Sequence, residues 1–167
     1  GSTSPRVSRD NQRKGRSQEI SRLIGRSLRA SINLQELREI TITIDCDVIQ
    51  ADGGTRTASV TGGFVALSLA VKQMLDSGSL DALPTITPIA ATSVGIFGDK
   101  VLVDLCYEED SKADADFNMV MASDGGIVEI QGSAEGNRFS RKLVDQVLDA
   151  GVDAISKLFE LQFKALE

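Results

Sequence analysis

Ile40-Thr-Ile-Thr-Ile-Asp-Cys-Asp-Val-Ile-Gln-Ala-Asp-Gly-Gly-Thr-Arg-Thr57 changes its periodicity halfway along. In its first half Ile40, Ile42, Ile44, Cys46 and Val48 fall on one face, with Thr41, Thr43, Asp45 and Asp47 on the other, which predicts a strand. Beyond Gly53-Gly54 the apolar spacing becomes helical: Val60, Phe64, Leu67, Val71 and Leu75 predict a helix ending near Ser77. Ala58, Gly62, Ala66 and Ala70 recur at every fourth position on it, a small stripe that admits a closely packed neighbour. A strand that turns through two glycines into a helix predicts a sheet with helices laid on it.

Upstream, Ile20, Leu23, Ile24 and Leu28 predict an amphipathic helix from Ser17, its cap, with Asn33 helping to end it. Residues 1–15 lack apolar periodicity and read as a basic loop or arm, leaving 16–167 as a single domain. Downstream, 89–97 and 100–107 predict two strands around Gly98-Asp99, and 117–122 and 127–131 a second pair around Asp124-Gly125-Gly126. A last helix is expected from about Ser140 to Leu166, with a kink or close contact at Gly151. The fold class is α/β (α+β): a mixed sheet of about five strands with three packed helices.

At 167 residues the chain suits one domain and is too short for two. It contains no histidine, which removes a histidine base, a Ser/His/Asp triad and imidazole-bound zinc. Cys46 and Cys106 have no CxxC spacing and read as buried thiols. No apolar run is expected to span a membrane and no signal peptide is evident, so a cytoplasmic protein is the expectation. The net charge of −6 divides unevenly: residues 1–30 carry +6 and the remainder −12. Such a split suits a basic surface for a polyanion beside a carboxylate-rich region, although a charged tail without specific function accounts for it as well.

Three stretches carry candidate chemistry. At Gly53-Gly54-Thr55-Arg56-Thr57, successive backbone amides can form an anion nest at the positive end of a helix, with Arg56 adding a fork and Thr55 or Thr57 a hydroxyl. This is neither a P-loop nor a GxGxxG fingerprint, and a tight turn capped by Thr57 is the plainer alternative. Arg16 is placed to add a second guanidinium, but on spacing alone a solvated arginine is the better account. Glu108-Glu109-Asp110-Ser111-Lys112-Ala113-Asp114-Ala115-Asp116 crowds carboxylates between two strands, which serves either to hold Mg2+ or Mn2+ or to split acidities, or else is a solvated turn. Asp52 is a supporting residue that orients Arg56 or caps the turn, and Gln131 to Gly136 is a glycine-containing strand end for which approach to the same cleft and a simple bulge or turn are equally good accounts.

Gly15-Arg-Ser-Gln-Glu-Ile20, Ile44 through Gly62, Asp104 through Asn118, and Val128-Glu-Ile-Gln-Gly-Ser-Ala-Glu-Gly136 with Phe139-Ser140 together resemble the bacterial ribonuclease PH family. These are phosphate-dependent 3'-to-5' exoribonucleases that trim transfer RNA ends. The resemblance implies a fold like ribosomal protein S5 domain 2, with Gly54, Thr55 and Arg56 gripping inorganic phosphate and Arg16 completing that site. It implies that Asp110 and Asp116 are the catalytic, metal-associated pair, with Mg2+ or Mn2+, and that Arg6, Arg9 and Arg13 help hold the transfer RNA. It further implies a homo-oligomer, a hexameric ring described as a trimer of dimers, acting on RNA and not on membranes. Members of that family begin with about 65 to 70 further residues, so this chain reads as N-terminally incomplete and should expose an unpaired sheet edge. The missing portion is a separate chain, a deletion or a true loss. The alternative function is therefore a non-catalytic RNA-binding or structural subunit of a related ring, and the carboxylates alone would also suit a metal-dependent hydrolase of small phosphorylated substrates.

Overall fold

A computed structural model of the chain describes residues 15–37, 39–135 and 138–167. The basic arm, with Arg6, Arg9 and Arg13, lies outside the described residues. Helix α1 covers Arg16–Ser31 and α2 Thr55–Asp76. Strands β1 (Ile89–Phe97) and β2 (Lys100–Val103) lead to a one-turn helix, α3 (Tyr107–Asp110). Strands β3 (Ala115–Ala122) and β4 (Ile127–Ala134) then precede α4 (Arg141–Leu166). The four strands run in the order β2-β1-β3-β4, each pairing antiparallel.

Period-two patterning sends the two faces of β1 and β3 to different partners. Ile89, Ala91 and Val120 join Leu23, Leu28, Val60, Phe64, Leu67 and Val71 in the core under α1 and α2. Ala90, Met119 and Met121 turn the other way and meet Ile155, while Val94, Ile96 and Phe117 meet Val147, both on α4. Each such fully buried aliphatic or aromatic side chain contributes about 1.5–3 kcal/mol relative to exposure. The close contact expected at Gly151 is present: a Cβ there would stand 2.5 Å from the Met119 sulfur. Ser140 caps α4, its hydroxyl accepting from the Leu143 amide at 3.3 Å.

Several expectations need correction. The segment expected as a strand over 40–48 keeps its alternation as far as Ile44, with Ile40, Ile42 and Ile44 half-buried against the α1/α2 core, but it joins no ladder. Alternation fixes which side chains face a core; a ladder also needs a neighbouring strand, and the described residues provide none. Val48 and Ile49 are exposed beside it. The small stripe of α2 is likewise open, since Ala58, Gly62 and Ala66 are all exposed; the close approach occurs instead at buried Gly63, beside Leu28 and Ile44. Together the segment and the stripe border a groove of about 440 Å³. Helix α2 is also long and apolar enough to cross a membrane, contrary to the sequence reading, though its Val60, Phe64, Leu67 and Val71 are buried in the core.

Helix α1 begins after Gly15, without a side-chain cap from Ser17, and closes at Ile32. Strand β2 stops at Val103, four residues short, because Asp104 takes a left-handed conformation (φ 56°) that turns the chain out of the ladder. Neither cysteine is buried: Cys46 lies exposed on the unpaired segment, and half-buried Cys106 caps α3.

Candidate functional site: an anion turn clasped to a carboxylate loop

The turn at Gly53-Gly54 is left-handed at both glycines, with φ of 78° and 55°. Those angles suit residues without a Cβ and aim the chain straight into α2. Thr57 closes the turn by donating from its hydroxyl to the Gly54 carbonyl at 2.8 Å. Gly53 lies so tightly against the next layer that a Cβ would stand 2.2 Å from the Leu105 carbonyl oxygen. The amide of Tyr107 donates to Asp52 Oδ1 at 3.2 Å, so Asp52 supports α3 rather than Arg56. The glycine turn and the carboxylate loop are thus joined by close packing at Gly53 and by the bond from the Tyr107 amide to the Asp52 side chain.

Leu105, nearly fully buried, locates the carboxylate loop over β1: its amide donates to Ser93 Oγ at 3.1 Å, and its side chain covers Gly95. Gly95 pairs with Asp116 in the ladder. From there the chain enters α3, where the Cys106 amide donates to Glu109 Oε2 at 3.0 Å, a capping box that fixes the single turn ending in Asp110. The acidic segment is therefore partly helical rather than a plain loop. Asp116 sits inside β3 and not ahead of it, paired with Ser133 on the other side.

Electrostatics tie these parts together. Burial pushes the Asp116 carboxyl above its ordinary range, and negative Asp110 and Glu135 push it further; the backbone hydrogen bond at Asp116 and the Arg56 guanidinium pull it back. Asp110, Glu135 and Arg56 therefore all act on the Asp116 carboxyl. Gly54 precedes the first two residues of α2, Thr55 and Arg56, and the Arg56 guanidinium lies near enough to Asp116 to pull on its carboxyl. Arg16 opens α1, and Glu19, one turn later, binds Arg56 Nη1 at 3.1 Å, which brings the start of α1 to the start of α2. Glu135 arrives because its amide continues the β3–β4 ladder, donating to the Asp114 carbonyl at 3.0 Å.

Two residues of this neighbourhood were not singled out from sequence. Asp104 places Oδ1 3.6 Å from where a Gly54 Cβ would lie, and Ser93 Oγ stands 3.7 Å from the same point. The signal for Asp104 was faint: an aspartate tolerates φ > 0 better than most residues, but nothing local demanded it. Among the described residues no group of three or more His, Cys, Asp or Glu side chains is arranged to hold a metal. Mg2+ needs no such group, since it keeps several waters and is commonly held by one or two carboxylates together with substrate phosphate. The larger cleft, about 760 Å³ between Gln35 and Pro84, contains none of these residues.

A Gly53→Ala substitution is expected to destabilise the protein by about 2–4 kcal/mol, combining left-handed strain with a clash against backbone that cannot swing away. Chemical denaturation measures it; a parental midpoint and slope would show that the clasp is loose enough to admit a methyl group.

A left-handed glycine turn at a helix start, tied to a carboxylate-bearing loop on a helix-covered sheet, suits an enzyme class that handles phosphate, and comparison with known proteins narrows it. The chain matches the descriptions "3' exoribonuclease family, domain 1" over residues 1–73 and "3' exoribonuclease family, domain 2" over residues 87–154. It is 52% identical over 164 residues to the ribonuclease PH of Dehalococcoides mccartyi strain BAV1, covering 96% of this chain and 68% of that one. It is 56% identical over 154 residues to the ribonuclease PH of Mycolicibacterium smegmatis, covering 92% and 60%. Among solved structures it is similar to rice (Oryza sativa) Rrp46, with a TM-score of 0.66 at 13% identity over 98% of this chain and 69% of that one. It is also similar to the Archaeoglobus fulgidus exosome with RNA bound to the active site, with a TM-score of 0.63 at 23% identity over 88% and 61%. At those identities the structures establish the fold alone. The chain belongs to the ribonuclease PH family and is shorter than those relatives. Membership places it in the class of phosphorolytic exoribonucleases, nucleotidyltransferases whose family works with phosphate and Mg2+.

Proposed function

We propose that this chain is itself catalytic, shortening RNA from its 3' end, transfer RNA ends above all, with inorganic phosphate as the attacking group. The observation that supports this reading is the contact of the Gly53-Gly54 turn with the chain that leads through Leu105 and Tyr107 to Asp110, together with the raised pKa of Asp116, on which both Asp110 and Arg56 act. Phosphate would lie at the amino end of α2, held by the Gly54 and Thr55 backbone, the Arg56 fork and Arg16. One of its oxygens attacks the terminal phosphodiester, and the O3' of the preceding nucleotide departs. The raised pKa of Asp116 makes it the better of the two carboxyls to carry a proton to that oxygen. Asp110, and Asp116 once it has given up that proton, would hold Mg2+, whose chemistry is to neutralise charge on the transferring phosphoryl oxygens. The products are a nucleoside 5'-diphosphate and RNA one nucleotide shorter. RNA shortening that depends on added phosphate and releases diphosphates is the expected result; release of monophosphates with phosphate absent would overturn it.

Arg6, Arg9 and Arg13 are assigned in this reading to the RNA backbone. Removing Arg9 and Arg13 together should weaken RNA binding and lower the slope of log affinity against log salt by about 1.4, at about 0.7 for each single-strand phosphate left without its arginine. A slope equal to the parental one would take these two arginines out of the interface. The reading also places residues 16–167 as one functional unit, in the cytoplasm, assembled into a hexameric ring that native mass measurement would detect.

A second reading is favoured by the unladdered segment at 40–48 and the open small stripe of α2 beside it. In it the chain is a structural or RNA-binding subunit whose open edge is paired by a strand from a separate chain. RNA binding without shortening, persisting after assembly with such a chain, would select this reading over the first.

A further inference from the structure

We propose that Glu19 is a positioning residue of the phosphate site, fixing the Arg56 guanidinium so that an anion meets it already aimed. The inference rests on the phosphate reading above. Arg56 is the second residue of α2 and Glu19 the fourth of α1, so the pair joins the first turns of two helices 37 residues apart in sequence. One carboxylate oxygen of Glu19 engages one nitrogen, Nη1, at 3.1 Å. A guanidinium carries five N–H donors in a rigid plane, so one tether sets the direction of the plane and leaves most donors free.

Exposure tells which partner is held. The Arg56 side chain is 23% exposed and that of Glu19 54%, so the arginine lies in the cleft and the glutamate at its rim. Without Glu19 a long side chain would have to be ordered when phosphate binds, and that cost would subtract from affinity. The carboxylate has a second effect: Arg16 opens the same turn of α1, and a negative group between two guanidinium-bearing turns offsets their mutual repulsion before an anion arrives. Its own repulsion of phosphate acts from a well-solvated position, where charge is screened. Preorganisation therefore outweighs repulsion.

Phosphate binding to the full chain tests this, by calorimetric titration with inorganic phosphate alongside initial rates of RNA phosphorolysis. Glu19→Ala is expected to raise the Kd for phosphate about tenfold, and the effect should fall on the apparent KM for phosphate rather than on kcat. Glu19→Gln keeps an oxygen that accepts from Arg56 and should stay within about threefold of the parent. In an Arg56→Ala background Glu19→Ala should add nothing, because the group it positions is gone. Unchanged or tighter phosphate binding by Glu19→Ala, or a full further weakening in the Arg56→Ala background, overturns the positioning role. If Arg56→Ala binds phosphate as the parent does, or the parent binds none, the phosphate reading falls and takes this inference with it. If Arg56→Ala weakens binding while Glu19→Ala does not, only this inference falls.

Discussion

Replacing Asp116 with asparagine is expected to slow single-turnover phosphorolysis by about 10²–10⁴-fold, the span a positioned acid or base contributes, while making the protein more stable at neutral pH. The first effect follows from the place of Asp116 in the proposed cleft. The second follows from its surroundings, since burial and the negative Asp110 and Glu135 all disfavour its ionised form. Because the pKa is raised on folding, the native chain holds this proton more tightly than the unfolded chain, and ionisation weakens the fold. That weakening is absent below the ordinary carboxylate range, grows as pH rises through it, and is complete once pH passes the raised native value. The melting temperature of Asp116→Asn, measured with a chelator present, should therefore exceed the parental value at neutral pH and converge with it in acid. An equal advantage at both pH values would show that charge is not its origin, and normal single-turnover phosphorolysis would remove Asp116 from the chemistry.

Arg56→Ala is expected to raise the apparent KM for phosphate about 10–100-fold, with RNA affinity much less affected. That range corresponds to removing one or two hydrogen bonds to a charged group, about 1.5–3 kcal/mol, each 1.4 kcal/mol being a factor of ten. Arg56 also lowers the acidity range of Asp116, so its removal should move that carboxyl further up and shift the pH profile of the remaining activity to higher pH. Steady-state rates against phosphate at several pH values measure both. A parental KM for phosphate would leave the Gly53-Gly54 turn as a structural bend and nothing more.

What could be read in advance followed the range of the interaction. Helices α2 and α4 and the hairpin β3–β4 were legible because their apolar spacing is local and long enough to be unambiguous. The segment at 40–48 carries the pattern of a strand, yet pairing depends on a partner that the pattern does not contain. Helix α3 is one turn long, too short to show a period, and Asp104 ends β2 through a backbone angle that no neighbouring residue announces. At the proposed site, residue types and turn chemistry marked Gly54, Arg56, Asp110 and Asp116 as candidates, but not how the glycine turn meets the carboxylate loop. That meeting depends on Asp52 with Tyr107 and on Glu19 with Arg56, pairs separated by 55 and 37 residues. Pairings of that span become visible only when α1, α2 and the sheet are placed in space.

The bare approach of Gly53 to the Leu105 carbonyl carries a lesson for protein engineering. A designer grafting the 53–57 loop onto a foreign scaffold would inherit a glycine turn with nothing packed against it, since its neighbour is the stretch from Leu105 to Tyr107 and not the loop itself. The transferable module is the two stretches as a pair, and a lineage that diversified one would be obliged to co-vary the other.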